Sequence, residues 1–194
     1  YTINIVSKSV DSIDPIPSFV WINLQVKPVK AIVVYESLWG NTAAIAHAIA
    51  AGIGHQTPAL NTSEAKSSVL AGIDLLVAGS PMLTSLITHE TIRQKIGSNW
   101  EGDPSPPDLS HPSLRAWLKS LPRGKGRSAA FETCIWLTFG QAAAATLSLL
   151  EKAGYRPLDE PRCFIVLGAF GPLRDGELET AQKWGAWLAR AMSA

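Results

Sequence analysis

Short apolar runs alternate along this chain with longer stretches of helical spacing. Ala31-Ile32-Val33-Val34-Tyr35 is an unbroken apolar run, the pattern of a strand buried on both faces. Ala43 to Ala51 follows as an Ala-rich helix, stopped by Gly52 and Gly54. A weak strand is expected near Pro58-Ala59-Leu60, and a stronger one over Ile73 to Gly79, ending at Ser80-Pro81. Thr88 to Ile96 reads as a helix, and Gly102 to Pro107 as a loop, because its three prolines cannot continue one. Leu114, Trp117, Leu118 and Leu121 share one face of a helix over His111 to Leu121. Ser128 to Thr133 is strand-like, Gln141 to Ala153 is a helix closed by Gly154, Cys163 to Gly168 is the last strand, and Glu177 to Met192 is the last helix. Strand followed by helix, about five times over, predicts an α/β fold: a parallel sheet with helices on both faces.

Residues 1–29 break this rhythm. Asp14-Pro15-Ile16-Pro17 is a cluster of breakers, and Phe19 to Val26 is extended in character. This segment is expected to be an N-terminal extension, either a flexible leader or an added edge strand, with the domain proper running over 30–194.

Composition narrows the function classes. With 46% hydrophobic residues the chain has ample apolar surface to fold, and a net charge of +1 argues against the basic stripe of a nucleic-acid-binding module. No apolar run is long enough for a membrane span, so a soluble cytoplasmic protein is expected. The four histidines, His47, His55, His89 and His111, are scattered, and Cys134 and Cys163 match no zinc or CxxC spacing, so no metal site is expected.

Ligands of an open parallel sheet bind beyond the carboxyl ends of its strands, which directs attention to loops 36–42, 80–86 and 132–140. The first holds hydroxyls at Ser37 and Thr42, an amide at Asn41 and the permissive Gly40, just before a helix N-terminus. Such a terminus suits a phosphate, and equally suits plain capping by Asn41 or Thr42. Four alternatives fail on what is absent. The nucleotide-triphosphate loop needs a lysine, and none lies between Lys30 and Lys66; there is no GxGxxG after the first strand and no GxSxG elbow; and Glu36 stands without the acidic cluster of a receiver domain. A phosphomonoester held by hydroxyls and amides survives.

Residues 31–42, a strand followed by Ser37-Leu38-Trp39-Gly40-Asn41-Thr42, resemble the flavodoxin-like opening, a strand and then [ST]xxGNT. Ile73 to Pro81 is similar to that family's third strand and G-[GS]-P turn. Leu114 to Leu118, Ala130 to Thr133 and Gly171 to Leu178 match in order, as in a bacterial subgroup of short-chain flavodoxin-like proteins. The resemblance spans about residues 30–192. It implies a three-layer, doubly wound, five-stranded sheet in order 2-1-3-4-5, with FMN as cofactor. Ser37, Leu38, Trp39, Gly40, Asn41 and Thr42 would cradle the FMN phosphate. Pro81, Met82, Leu83 and Thr84 would flank one side of the flavin ring, and the segment from Thr133 to Gly140, with Cys134 and Trp136, the other. The same strand order, with a strand length of ~16 Å between Cys134 and Cys163, implies two free thiols.

The implied activity is flavin-based electron transfer with a redox partner or small-molecule acceptor. An NAD(P)H-dependent quinone or flavin reductase of the same fold, often a homodimer, is the enzyme alternative, and a flavin-free structural or regulatory protein is the third. The acidic character of well-known flavodoxins is missing here. Trp136 or Phe139 would stack on the ring and Trp39 cover its edge, unless each simply packs. Glu132 is expected as a solvated carboxylate, with a proton relay beside the flavin as the sharper alternative.

Overall fold

The computed structural model describes residues 29–82, 90–98, 106–135, 141–168 and 170–193. The strand-like stretch expected at 19–26 lies outside them. Eleven elements follow in chain order: β1 (Ala31–Tyr35), α1 (Asn41–Ile53), β2 (Ala59–Asn61), β3 (Leu75–Pro81), α2 (Glu90–Ser98), α3 (Leu114–Lys119), β4 (Arg127–Ile135), α4 (Gln141–Lys152), β5 (Arg156–Pro157), β6 (Arg162–Val166) and α5 (Glu177–Ser193). All pairings between these strands are parallel, in the order β2-β1-β3-β4, with β5 and β6 both on the far side of β4. This is the doubly wound α/β fold with order 2-1-3-4-5 that the alternation and the resemblance imply.

The fifth strand position is divided. Arg156 and Pro157 pair with Arg127 and Ser128, and Arg162 next pairs with Phe131. Five residues on one side therefore oppose three on the other, so the strand carries two extra residues, as in a bulge. Pro157 and Pro161 flank the interruption, and neither offers an N–H to a ladder.

Two apolar layers sandwich the sheet, as alternate side chains of a doubly covered strand require. Val33, Val77 and Phe131 face α1 and α5, where Ile45, Ile49, Trp184 and Leu188 meet them. Ile32, Val34, Leu76 and Ala78 face the other side, against Leu114, Trp117, Leu118 and Leu150. Phe131, Phe164 and Trp184 form a chain of aromatic contacts with centroids 6.2 and 6.1 Å apart. Two core indole N–H groups are paired despite burial: Trp117 Nε1 donates to Ala65 O at 2.8 Å and Trp184 Nε1 to Asp159 Oδ2 at 2.7 Å.

Two glycines carry the packing of α1 on α5. The sequence reads Gly52 as a helix stop, but α1 runs through it to Ile53. A Cβ on Gly52 would overlap the carbonyl oxygen of Gln182, and one on Gly185 would overlap that of Ile49. Gly52 is thus a point of close helix approach, and the termination falls to Gly54.

The cysteines correct the sequence reading. Cys134 and Cys163 form a disulfide, with a Cα–Cα distance of 6.2 Å. The expectation of two free thiols assumed that the fourth and fifth strands begin level. They are staggered instead: the fifth position starts at Arg156, so Cys163 lies opposite Glu132, well along β4, and only two residues from Cys134. Neighbouring parallel strands with that offset bring the two side chains onto one face of the sheet.

Gly52→Ala and Gly185→Ala should each cost about 1–3 kcal/mol, the range for overpacking a close contact, because backbone rather than a flexible side chain is in the way. Urea unfolding monitored by circular dichroism reads this as a lower midpoint with an unchanged slope. An unchanged midpoint would mean that α1 and α5 do not approach this closely.

Candidate functional site

At their carboxyl ends the central strands turn from apolar to polar. Glu36 and Ser37 follow β1, Ser80 lies near the end of β3, and Glu132 and Thr133 near the end of β4; all five are buried. A buried polar side chain needs a partner, so these ends are where structure beyond packing is expected.

The loop from β1 to α1 is held open toward its helix. Gly40 caps α1 with φ 86°, a left-handed conformation that favours glycine, and supplies no side-chain cap hydrogen bond. Its N–H donates to Ser37 Oγ at 3.1 Å, and Ala44 N donates to Gly40 O at 2.9 Å. Capping by Asn41 or Thr42, one of the two readings of this loop, is not what the structure shows. Asn41 Nδ2 donates to Phe170 O at 2.8 Å, and Thr42 Oγ1 pairs with Thr133 Oγ1 at 2.8 Å. The first N–H groups of a helix have no intrahelical partner. Here no acidic residue stands in the first turn, and a Cβ on Gly40 would meet nothing within 4 Å. The positive end of α1 therefore faces open space, which suits an anion.

A cleft of about 110 Å³ lies beside this terminus. It brings together Leu38, Trp39, Asn41, Thr42, Pro81, Met82 and Thr133 from the residues singled out by sequence. Ser37 and Gly40 shape the loop behind it. Leu83, Thr84, Trp136 and Gly140, with Phe139, lie outside the described residues. Cys134 does not line the cleft; it is bonded to Cys163 on the face toward α4. Ile135, inside the segment Thr133 to Gly140, and Val166 complete the walls; Val166 was missed, because it reads as an ordinary strand residue. Phe170 was also missed: its ring meets Trp39 edge-on at 4.9 Å, and its carbonyl takes the Asn41 amide. Gly171 (φ 106°) lets that turn approach, since a Cβ there would lie 2.6 Å from Asn41 Nδ2.

The residues fit a phosphomonoester, and the small volume fits a phosphate with its attached chain rather than a whole flavin ring. A larger cavity of about 880 Å³ lies at the opposite end of the sheet, walled by Ala31, Ile32, Ile53 and Leu60. It adjoins the C-terminal ends of α1 and α5, whose negative poles disfavour phosphate.

Behind the loop sits a buried ionic anchor that no local pattern reveals. Arg93 is fully buried and is the buried residue of α2. Its Nη2 donates to His111 O at 2.7 Å, and its Nη1 lies 3.3 Å from Glu36 Oε1. That second contact is an ion pair without a well-directed hydrogen bond, since neither atom meets hydrogen-bond geometry. Glu36 Oε2 accepts from Leu114 N at 2.7 Å. Burial pushes the Glu36 carboxyl upward, opposed by the Leu114 N–H and then by Arg93. His111 Nε2 donates to Ser37 O at 3.1 Å, and Asp108 N donates to Leu38 O at 2.8 Å. One segment, 108–114, thus grips the first three residues of the loop.

Glu132 contradicts its expectation as a solvated carboxylate, being wholly buried. Oε2 accepts from Ala143 N at 2.8 Å, at the first turn of α4, while Oε1 has no hydrogen-bond partner among the described residues. Burial raises its pKa, partly offset by the N–H groups of Ala143 and Ala142. Among the described residues, Glu132, Cys134 and Cys163 are a group with potential ligand atoms within 4.8 Å of one another. With the sulfurs bonded together, however, they do not form a metal-binding set.

No protein-family model and no curated protein matches this chain. Solved structures do. An archaeal flavodoxin is 22% identical and matches over 84% of this chain and 99% of its own, with a TM-score of 0.58. Flavodoxin 1 from Bacillus cereus is 19% identical over 82% of this chain and 97% of its own, with a TM-score of 0.55. Rubredoxin oxygen:oxidoreductase from Desulfovibrio gigas is 17% identical over 86% of this chain but 37% of its own, with a TM-score of 0.57. The chain has the flavodoxin-like fold. Among the described residues, no helix is long and apolar enough to cross a membrane.

Arg93→Met should destabilise the protein by about 3–5 kcal/mol, since it strands the Glu36 carboxylate in the interior. Glu36→Gln added to it should recover part of that loss in a double-mutant cycle of urea unfolding; additive losses would deny the coupling.

Glu132 gives a pH signature. Its folded pKa is raised above the ordinary value of 4.5, so its contribution to stability is full below that value and falls as pH rises through the folded pKa. Glu132→Gln keeps an acceptor for Ala143 and does not titrate. The melting temperature of the parent relative to this variant should therefore fall as pH is raised from 4 toward neutrality, and a constant difference would refute the buried ionisable group.

Proposed function

We propose that the cleft holds FMN by its phosphate and that the protein takes part in flavin-dependent electron transfer. The observation that carries this reading is the N-terminus of α1, uncapped by any side chain and opening beside Ser37, Thr42 and Thr133. Cofactors of this kind supply the electron chemistry, and the protein supplies binding and orientation. Ser37 holds the loop through Gly40 N, and Asn41 ties it to the turn at Phe170, so the backbone N–H groups are arranged before an anion arrives. Met82 and Pro81 form an apolar wall next to the phosphate subsite, and Trp39 with Phe170 forms another.

The rim supports an acceptor recognised by shape rather than by charge. Ile135, Leu167 and Phe170 are 43%, 64% and 39% exposed near the cleft. A net charge of +1 offers no long-range attraction to a basic partner.

Titration of the flavin-free protein should show FMN binding at least 100-fold more tightly than riboflavin, which lacks the phosphate, with absorbance near ~450 nm on the protein. Ala43→Glu places a carboxylate in the first turn of α1. It should leave the melting temperature unchanged or raised, because an acid there favours the helix, while weakening FMN at least tenfold through competition for the same N–H groups. Equal affinities for FMN and riboflavin would overturn the phosphate placement.

A further inference from the structure

The Cys134–Cys163 disulfide is surrounded by more than a cross-link requires. Its strands are already joined by parallel pairing from Phe131–Arg162 to Ile135–Val166. The face that carries the sulfurs also carries two buried polar side chains with atoms that have no hydrogen-bond partner among the described residues: Oε1 of Glu132 and Oγ of Ser80, which lie opposite each other in the β3–β4 register. A carboxylate oxygen of Glu132 and both sulfurs lie within 4.8 Å of one another. Burying a carboxyl group with an unmade hydrogen bond is costly, and a purely structural disulfide gains nothing from it. The two cysteines also differ in exposure, for Cys134 is 2% exposed whereas Cys163 is half-buried.

We propose that Cys134–Cys163 is a redox-active pair that exchanges with external dithiols, with Glu132 as the acid that protonates the departing Cys134 sulfur. Access sets the direction. A thiolate of the dithiol, its proton released to solvent, attacks the Cys163 sulfur. A bond forms between the two, and the bond between Cys163 and Cys134 breaks with its electron pair going to Cys134. A bare thiolate in that apolar position is disfavoured, so the Glu132 carboxyl transfers its proton to the Cys134 sulfur. The carboxylate left behind keeps the Ala143 N–H and lies at the positive end of α4. The second thiol of the dithiol then loses its proton to solvent and attacks the dithiol's own bound sulfur. This closes a cyclic disulfide and releases Cys163, which takes a proton from solvent, as does Glu132. The protein disulfide gains two electrons and two protons in all, and the dithiol loses the same. Neither step uses the cleft or its cofactor.

Few groups tune Glu132. Cys134 lies on its own strand, Ser80 faces it from β3, Cys163 from β6, and the N–H groups of Ala142 and Ala143 from α4. Among the described residues, no charged side chain contributes to its shifted titration.

The full-length oxidised protein, treated with millimolar dithiothreitol without denaturant and quenched with a maleimide reagent, should gain two labels within minutes while its circular dichroism stays unchanged. Labelling that requires denaturant would overturn the proposal and make the bond a staple. Glu132→Gln should slow native reduction at least tenfold at pH 7, Glu132→Asp should restore part of the rate, and the parent's rate–pH profile should carry a break that Glu132→Gln lacks. Equal rates and profiles for the parent and Glu132→Gln would refute the acid role. Because the parent alone decides whether the bond is redox-active, a variant that failed to fold would not shelter the idea.

Discussion

Parallel register among β1, β3 and β4 is the constraint on which the rest of this structure depends. Tyr35 lies beside Gly79, and Gly79 beside Phe131, so the polar positions that come next in each strand fall at the same level at one edge of the sheet. Buried polar residues that are far apart in the chain meet there: Glu36 and Ser37, Ser80, and Glu132 with Thr133. A slip of one residue in any pair would turn Thr133 away from Thr42 and drive Phe131 out of the space that Gly79 leaves for its ring. The aromatic contacts from Phe131 through Phe164 to Trp184 hold the register from one face.

With the strands in this register, two helix N-termini lie at the same edge and are met differently. That of α1 has no acid in its first turn and no side-chain cap, so its positive pole is left for a ligand. That of α4 is met by Glu132, a side chain of the protein itself. In the proposed reading the first terminus takes an anion from outside, while the second holds an internal carboxyl group beside the disulfide. The flavin reading and the redox pair thus arise from one architecture on opposite faces of the sheet, separated by the thickness of β4.

Stiffness of the candidate site comes from behind it. Arg93, His111 and Leu114 bind Glu36 and Ser37 of the loop 36–40 from the rear. A buried ion pair is a poor source of net stability, because desolvation offsets the attraction. What it provides here is direction: Arg93 joins the Glu36 carboxyl to the carbonyl of His111, whose ring in turn holds Ser37.

The sequence by itself determined the layers and, through its resemblance, the strand order, and it singled out the loop on which the proposed function rests. Those features are written in local periodicity and in one contiguous motif, Ser37 to Thr42, where neighbours in the chain are neighbours in space. Tertiary structure decided the rest. Nothing in the helix expected over Thr88 to Ile96 singles out Arg93 until α2 is seen to bury it against Glu36, and Glu132 reads as a solvated carboxylate until β4 is seen to extend two residues beyond Thr133. The disulfide shows the reason most clearly. Whether Cys134 and Cys163 meet depends on the stagger of adjacent strands, which the two extra residues after Pro157 help set. A stagger is a relation between segments, fixed by long-range packing, and no window of local sequence carries it.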